Sequence, residues 1–133
     1  MIVIFKLTTG EEIIGRSDHT IGEPAVTIFD PMYVVDVRGE EYATTRLADC
    51  MLLSDADGLT FNGNHVIYYY APTQKLEEYY TKAVLYSKNF TKPRINNQIA
   101  EAVDMIDDAL REDDMANAMR RALSKISGPT SVH

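Results

Sequence analysis

The sequence predicts a mainly β protein with an α-helical C-terminal extension, and three observations carry that reading. Over positions 1–72, apolar residues alternate in short runs cut by glycine, proline, asparagine and aspartate, the pattern of half-buried strands joined by turns. From Leu76 onward the apolar spacing changes to three and four residues, the helical period. Gly15 stands inside a strand pattern, where it marks a sharp bend or a close backbone approach, as a tightly curved sheet needs. The division is a β-barrel over 1–72 and a helical extension of two or three helices over 73–133.

"IVIFKL" alternates Ile2, Ile4 and Lys6 with Val3, Phe5 and Leu7, a strand with two usable faces. "TTGEE" turns the chain at Gly10, which takes positive φ at little cost. Glu12 to Arg16 returns as the second strand. "SDHTIGEPA" is a loop broken by Gly22 and Pro24. "VTIFDPMYVVDV" is a long third strand with a bulge or bend at Asp30-Pro31, because proline has no N–H for a central ladder. "RGEE" turns the chain, and "YATTRLADCMLLS" from Tyr42 is the next extended segment. The turn signals "DADG" and "NGN" bracket "LTF", and "HVIYYYAP" is the final strand, stopped by Pro72.

Thr73 is placed to cap a helix with the face Leu76, Tyr79, Tyr80, Ala83 and Val84. A second helix starts at Pro93, suited to a first turn, with the stripe Ile95, Ile99, Val103, Ile106 and Leu110. "EDDM", Glu112–Met115, reads as a loop and the acidic N-terminal end of a third helix. Met115, Met119, Ala122 and Ile126 form its stripe before Gly128-Pro129. Arg120-Arg121 near its end suits the helix dipole.

The chain has 133 residues and a formal charge of −7, unevenly placed. Four basic residues face eleven acidic ones up to Pro72, while nine face nine beyond it. Such an acidic first half opposes extended contact with phosphate chains. Cys50 is the only cysteine, so an intrachain disulfide and a four-thiolate metal site are excluded; it reads as a buried small hydrophobe. His19, His65 and His133 have no metal-ligand spacing, no phosphate-binding glycine loop precedes a lysine, and Asp55 and Asp57 read as a solvated turn. The expectation is a non-catalytic protein with no metal and no cofactor. The run "MIVIFKL" is too short for a signal peptide and no stretch reaches membrane-spanning length, which predicts a cytoplasmic protein.

The order "FKLTTGEEIIG", Asp30-Pro31, "LSD" at Leu53–Asp55 and "HVIYYYAP" at His65–Pro72 resembles the Sm/LSm family. Within it, the likeness is nearest to the small Sm-like proteins of marine and cyanobacterial viruses. Leu7, Gly10 and Gly15 match the leucine, the turn glycine and the curvature-permitting glycine of its first motif. The resemblance covers roughly 1–86 and implies a five-stranded, strongly bent antiparallel open barrel. It also implies a homo-oligomeric ring, one protomer's fourth strand pairing with the next one's fifth. Leu47 and Met51 would then stand on one edge, and Val66, Ile67 and Tyr68 on the other. An exposed strand as apolar as "HVIYYY" needs such a partner in any case.

The resemblance further implies binding of single-stranded RNA or short nucleotides. Asn64-His65 corresponds to a Lys-His pair that reaches RNA in bacterial relatives, here without the lysine. Asp30, Met32 and Tyr33 correspond to base-binding positions, while Asp18, His19 and Thr20 have no firm match. Tyr33 has a face on which a base can stack, and Asn64 and His65 can read a base edge. Two other functions compete with this one. One is an oligomeric scaffold whose helical tail recruits a host or viral protein. The other is a sponge for small nucleotides, held in concave seams between subunits. A viral regulator would act in the host cytoplasm.

Overall fold

The computed structural model describes residues 1–19, 22–38 and 43–127. Thr20, the turn expected at 39–41, Tyr42, the Gly128-Pro129 stop and His133 lie outside the described residues. Two compact units divide the chain, 1–93 and 94–133.

The first unit is an antiparallel sheet with one helix packed on it. Its strands are β1 (Ile2–Leu7), β2 (Glu12–Arg16), β3 (Ala25–Arg38), β4 (Ala43–Asp49), β5 (Gly58–Asn62) and β6 (Val66–Tyr70). The order runs β4-β3-β2-β1-β6, with β5 paired to β3 off that path. The sheet is therefore not closed, and β4 and β6 end it.

Five strands are read from the sequence and six form among the described residues, because the fourth ends at Asp49 and the segment around "LTF", read as lying between two turns, is a strand of its own. Met32 to Arg38 of β3 pairs with Asp49 back to Ala43, and Ala25 to Phe29 pairs with Asn62 back to Gly58. The partner of one long strand leaves the ladder after Asp49 and rejoins it at Gly58. Cys50 to Leu53, read as extended, forms a turn instead, which Asp49 nucleates by accepting the Met51 N–H at 2.7 Å.

The sheet bends where Gly15 and Asp30-Pro31 meet. The β2–β3 register shifts between Ile14 and Arg16, opposite Asp30, whose φ of 50° lies in the left-handed region that aspartate visits more readily than most residues. A Cβ on Gly15 would collide with the Ile28 side chain and stand 3.0 Å from the Phe29 carbonyl oxygen. Close packing fixes that glycine, whereas Gly10 is fixed by its φ of 93° with open space around it.

Bending gives the sheet two buried faces. Val3, Phe5, Leu7, Ile13, Val26 and Ile28 form one core, with Cys50, Phe61 and Val66 packed against it. Ile4, Ile14, Met32 and Tyr80 form the other, beneath Leu76, Ala83 and Val84 of α1 (Gln74–Tyr86). The alternation in β1 is thus apolar on both sides, as expected of a strand between two layers. Thr73 caps α1, its Oγ1 accepting the Leu76 N–H at 3.3 Å. This helix, which the sequence assigns to the extension, groups with the sheet.

A π-helical turn, Ser87–Thr91, joins α1 to α2 (Lys92–Ser127). The second and third helices expected from the spacing are one continuous helix of 36 residues. Glu112–Met115, read as a loop, lies inside it. Acidic residues tolerate a helix interior well when solvated, so their charge alone does not break one. No described helix is long and apolar enough to cross a membrane.

Candidate functional site

The site residues inferred from sequence separate into two places. Asp30 and Met32 lie at the bend, under α1. Tyr33, Asn64 and His65 lie along one rim of the sheet.

At the bend every polar group of Asp30 is engaged. Its N–H donates to the Asp57 carbonyl at 2.8 Å, and its carbonyl accepts the Tyr80 hydroxyl at 2.8 Å. Its carboxylate, with the side chain 10% exposed, meets Arg16 Nη2 at 2.7 Å and Lys88 Nζ at 3.1 Å. The hydrogen bond to Asp30 raises the Arg16 pKa further. Burial is the main cause raising the Tyr80 hydroxyl far above a phenol's ordinary value, so it remains a donor. Beside it Asp49 accepts a 2.6 Å hydrogen bond from the buried Ser87 hydroxyl and has Lys92 Nζ at 3.8 Å. Short bonds to a carboxylate are the strong ones. Together these contacts latch the π-helical turn to the bent strand. Met32 is 3% exposed within the second core.

The rim is built around the β1–β2 turn. Thr8 donates its N–H to the His65 carbonyl at 2.8 Å, and its hydroxyl lies 3.4 Å from His65 Nδ1. Asn64 and His65 sit in a single 3-10 turn, Gly63–His65, capped by Asn62, whose side-chain oxygen accepts the Asn64 N–H at 3.0 Å. Both are exposed. On the other side of the same turn, Tyr33 lines an open cleft of about 460 Å³ with Lys6, Gly10, Glu11, Glu12 and Asp36. Lys6 donates to the Gly10 carbonyl at 2.8 Å and keeps its charge, but three carboxylates outnumber it and make the cleft net negative. The Tyr33 hydroxyl is raised, first by Cys50 and then by burial. The rim thus offers an aromatic face in a negative cleft, and an exposed amide and imidazole on the other side of the turn.

The edge residues divide similarly. Leu47 is on β4 and half-buried against the second core, while Met51 is in the turn after it. Val66 packs on the first core; Ile67 and Tyr68 are exposed on β6. Tyr68 and Tyr70 share a face with ring centroids 6.0 Å apart, and Tyr69 turns inward to Phe5 at 5.8 Å, the separation that strand alternation expects.

Sequence reasoning missed two groups. His19 is an inward ring, its side chain 8% exposed and 3.8 Å from Glu23, edge-on to Phe5 and Tyr69. Nothing in "SDHTIGEPA" signals that. Ser87, Lys88 and Lys92 converge on the two aspartates around the π-helical turn, and such a turn leaves no composition signal. Among the described residues no three His, Cys, Asp or Glu side chains gather in a way that could hold a metal ion.

Together, fold and rim define a class: a small bent antiparallel sheet, open at two edges, with polar and aromatic groups along one end. No family model matches the chain, and no curated protein matches it.

Proposed function

We propose that this protein is a non-catalytic, Sm-like ring that binds single-stranded RNA or short nucleotides at its rim. One observation carries the reading: Tyr33 and His65 flank a single turn, with Asn64 next to His65 in the chain, beside the edge strand β6, whose one partner strand among the described residues is β1. Assembly follows from the edges. Among the described residues β4 and β6 each have one partner strand, and unpaired edges with exposed apolar side chains favour pairing with another copy. The bend at Gly15 and Asp30 gives the curvature that such a barrel requires.

Ligand class follows from charge. Glu11, Glu12 and Asp36 repel phosphates, while Tyr33 stacks on bases and Asn64 and His65 meet their edges. Short or unpaired strands bind in preference to duplexes.

Titration of the full chain with U-rich, A-rich and duplex RNA and with mononucleotides, at two salt concentrations, tests this. The expected result is single-strand or nucleotide binding that Tyr33→Ala and His65→Ala each weaken, on a closed oligomer seen by native mass spectrometry. A monomer, or an intact ring that binds none of these ligands, overturns it. The exposed apolar residues of α2 favour a second reading, an oligomeric scaffold whose tail recruits another protein, and a ring without ligand would select it.

A further inference from the structure

The helix α2 carries two apolar stripes in its N- and C-terminal halves. Val103, Ile106 and Leu110 form the first, and Met115, Met119 and Ala122 the second, all exposed. At 3.6 residues per turn the stripes point about 150° apart. A solitary helix cannot bury either one on itself.

The two stripes are mirror images in spacing. Run antiparallel, Val103 falls level with Ala122, Ile106 with Met119, and Leu110 with Met115. Each pair straddles the same midpoint, between Glu112 and Asp113, and each sets an a-type position against a d-type one, as antiparallel helix pairs require. Ile99 falls level with position 126.

Charge selects the same arrangement. Positions 101–114 carry seven carboxylates and one arginine, whereas positions 116–124 carry only Arg120 and Arg121. Antiparallel overlap brings Arg121 level with Asp104 of the other helix and sets Arg120 between Asp104 and Asp107. Pairing two first stripes instead sets the segments that carry Asp104, Asp107 and Asp108 against each other, and parallel pairing stacks acidic segment on acidic segment.

We infer that α2 is a head-to-tail self-association element: the first stripe of one copy packs antiparallel on the second stripe of another copy of this chain. Because the stripes point in opposite directions, one neighbour cannot cover both. Each helix takes a second copy on one side and a third on the other, a heterologous contact that continues past the dimer. The contact is independent of the sheet edges and of the ring proposed above.

Crosslinking of the full chain in a Cys50→Ser background tests it. Ile106→Cys and Met119→Cys chains, mixed and treated with a short bis-maleimide, should join to each other and not to themselves. A chain carrying both substitutions should give a ladder beyond the dimer. Within one helix these positions are about 20 Å apart, beyond a short linker's reach. Arg120→Glu with Arg121→Glu should suppress the mixed product, and Asp104→Lys with Asp107→Lys in the partner chain should restore it. A product joining 106 to 106, a ladder that stops at the dimer, no mixed product, or indifference to charge reversal each overturns the inference.

Discussion

Two glycines and a tyrosine hydroxyl show how single atoms hold this fold. A methyl group on Gly15 has nowhere to go, because Ile28 is wholly buried and the Phe29 carbonyl is backbone. Gly15→Ala should cost about 2–3 kcal/mol in urea unfolding, the usual penalty for overpacking. Gly10→Ala meets open space and strains only φ, for about 1–2 kcal/mol. Tyr80→Phe removes the bond to the Asp30 carbonyl at 2.8 Å and should cost about 1–2 kcal/mol. At Cys50 burial pushes the thiol from its usual 9.0 up to about 12. The folded thiol stays protonated where the unfolded one ionises, so its contribution is complete below pH 9.0 and is lost as pH rises to about 12. Tyr80, also raised, adds loss of the same sign in alkali. Thiol labelling at pH ~8 should be much slower in the folded than in the unfolded protein, because less of the folded thiol is thiolate.

Elements meet at the latch and at the edge. The π-helical turn points Ser87, Lys88 and Lys92 toward Asp30 and Asp49, so a helix and a bend that are distant in sequence share one polar network. Ser87→Ala leaves Asp49 without its shortest hydrogen bond and should lower stability by about 1–3 kcal/mol. Strand β6 presents Ile67, 59% exposed, at the register shift of its pairing with β1, where Ile67 has no cross-strand partner. Ile67→Lys therefore places a charge on an edge and removes no core contact. The folded unit should melt as before while the closed oligomer disperses in native mass measurements. An unchanged oligomer would mean that this edge is not the one used.

Across the whole molecule, both cores lie within the unit 1–93. A chain ending at Pro93 should unfold cooperatively, within a few degrees of the full protein. Loss of a cooperative transition would show that the second unit supports the first. Truncation should also remove every crosslink assigned to α2 and leave assembly through the sheet edges.

Alternation in "IVIFKL", the breakers at Gly10, Pro31 and Pro72, and the shift to helical spacing at Leu76 determined the strands, the bend and the start of the helices. Such signals are local: each residue's neighbours within a few positions decide them. Tertiary structure decided what depends on distant partners. It ended the fourth strand at Asp49 and made a strand of "LTF", since only pairing with β3 reveals which residues join the ladder. It fused the later helices across an acidic run and packed α1 on Ile14 and Met32. The same long-range contacts drew Asp30 and Met32 under a helix while leaving Tyr33, Asn64 and His65 on the rim. Those five residues look alike as polar, aromatic or soft groups near turns. Whether each meets solvent depends on the sheet's bend and on the helix that covers it, and neither is a local property of the chain.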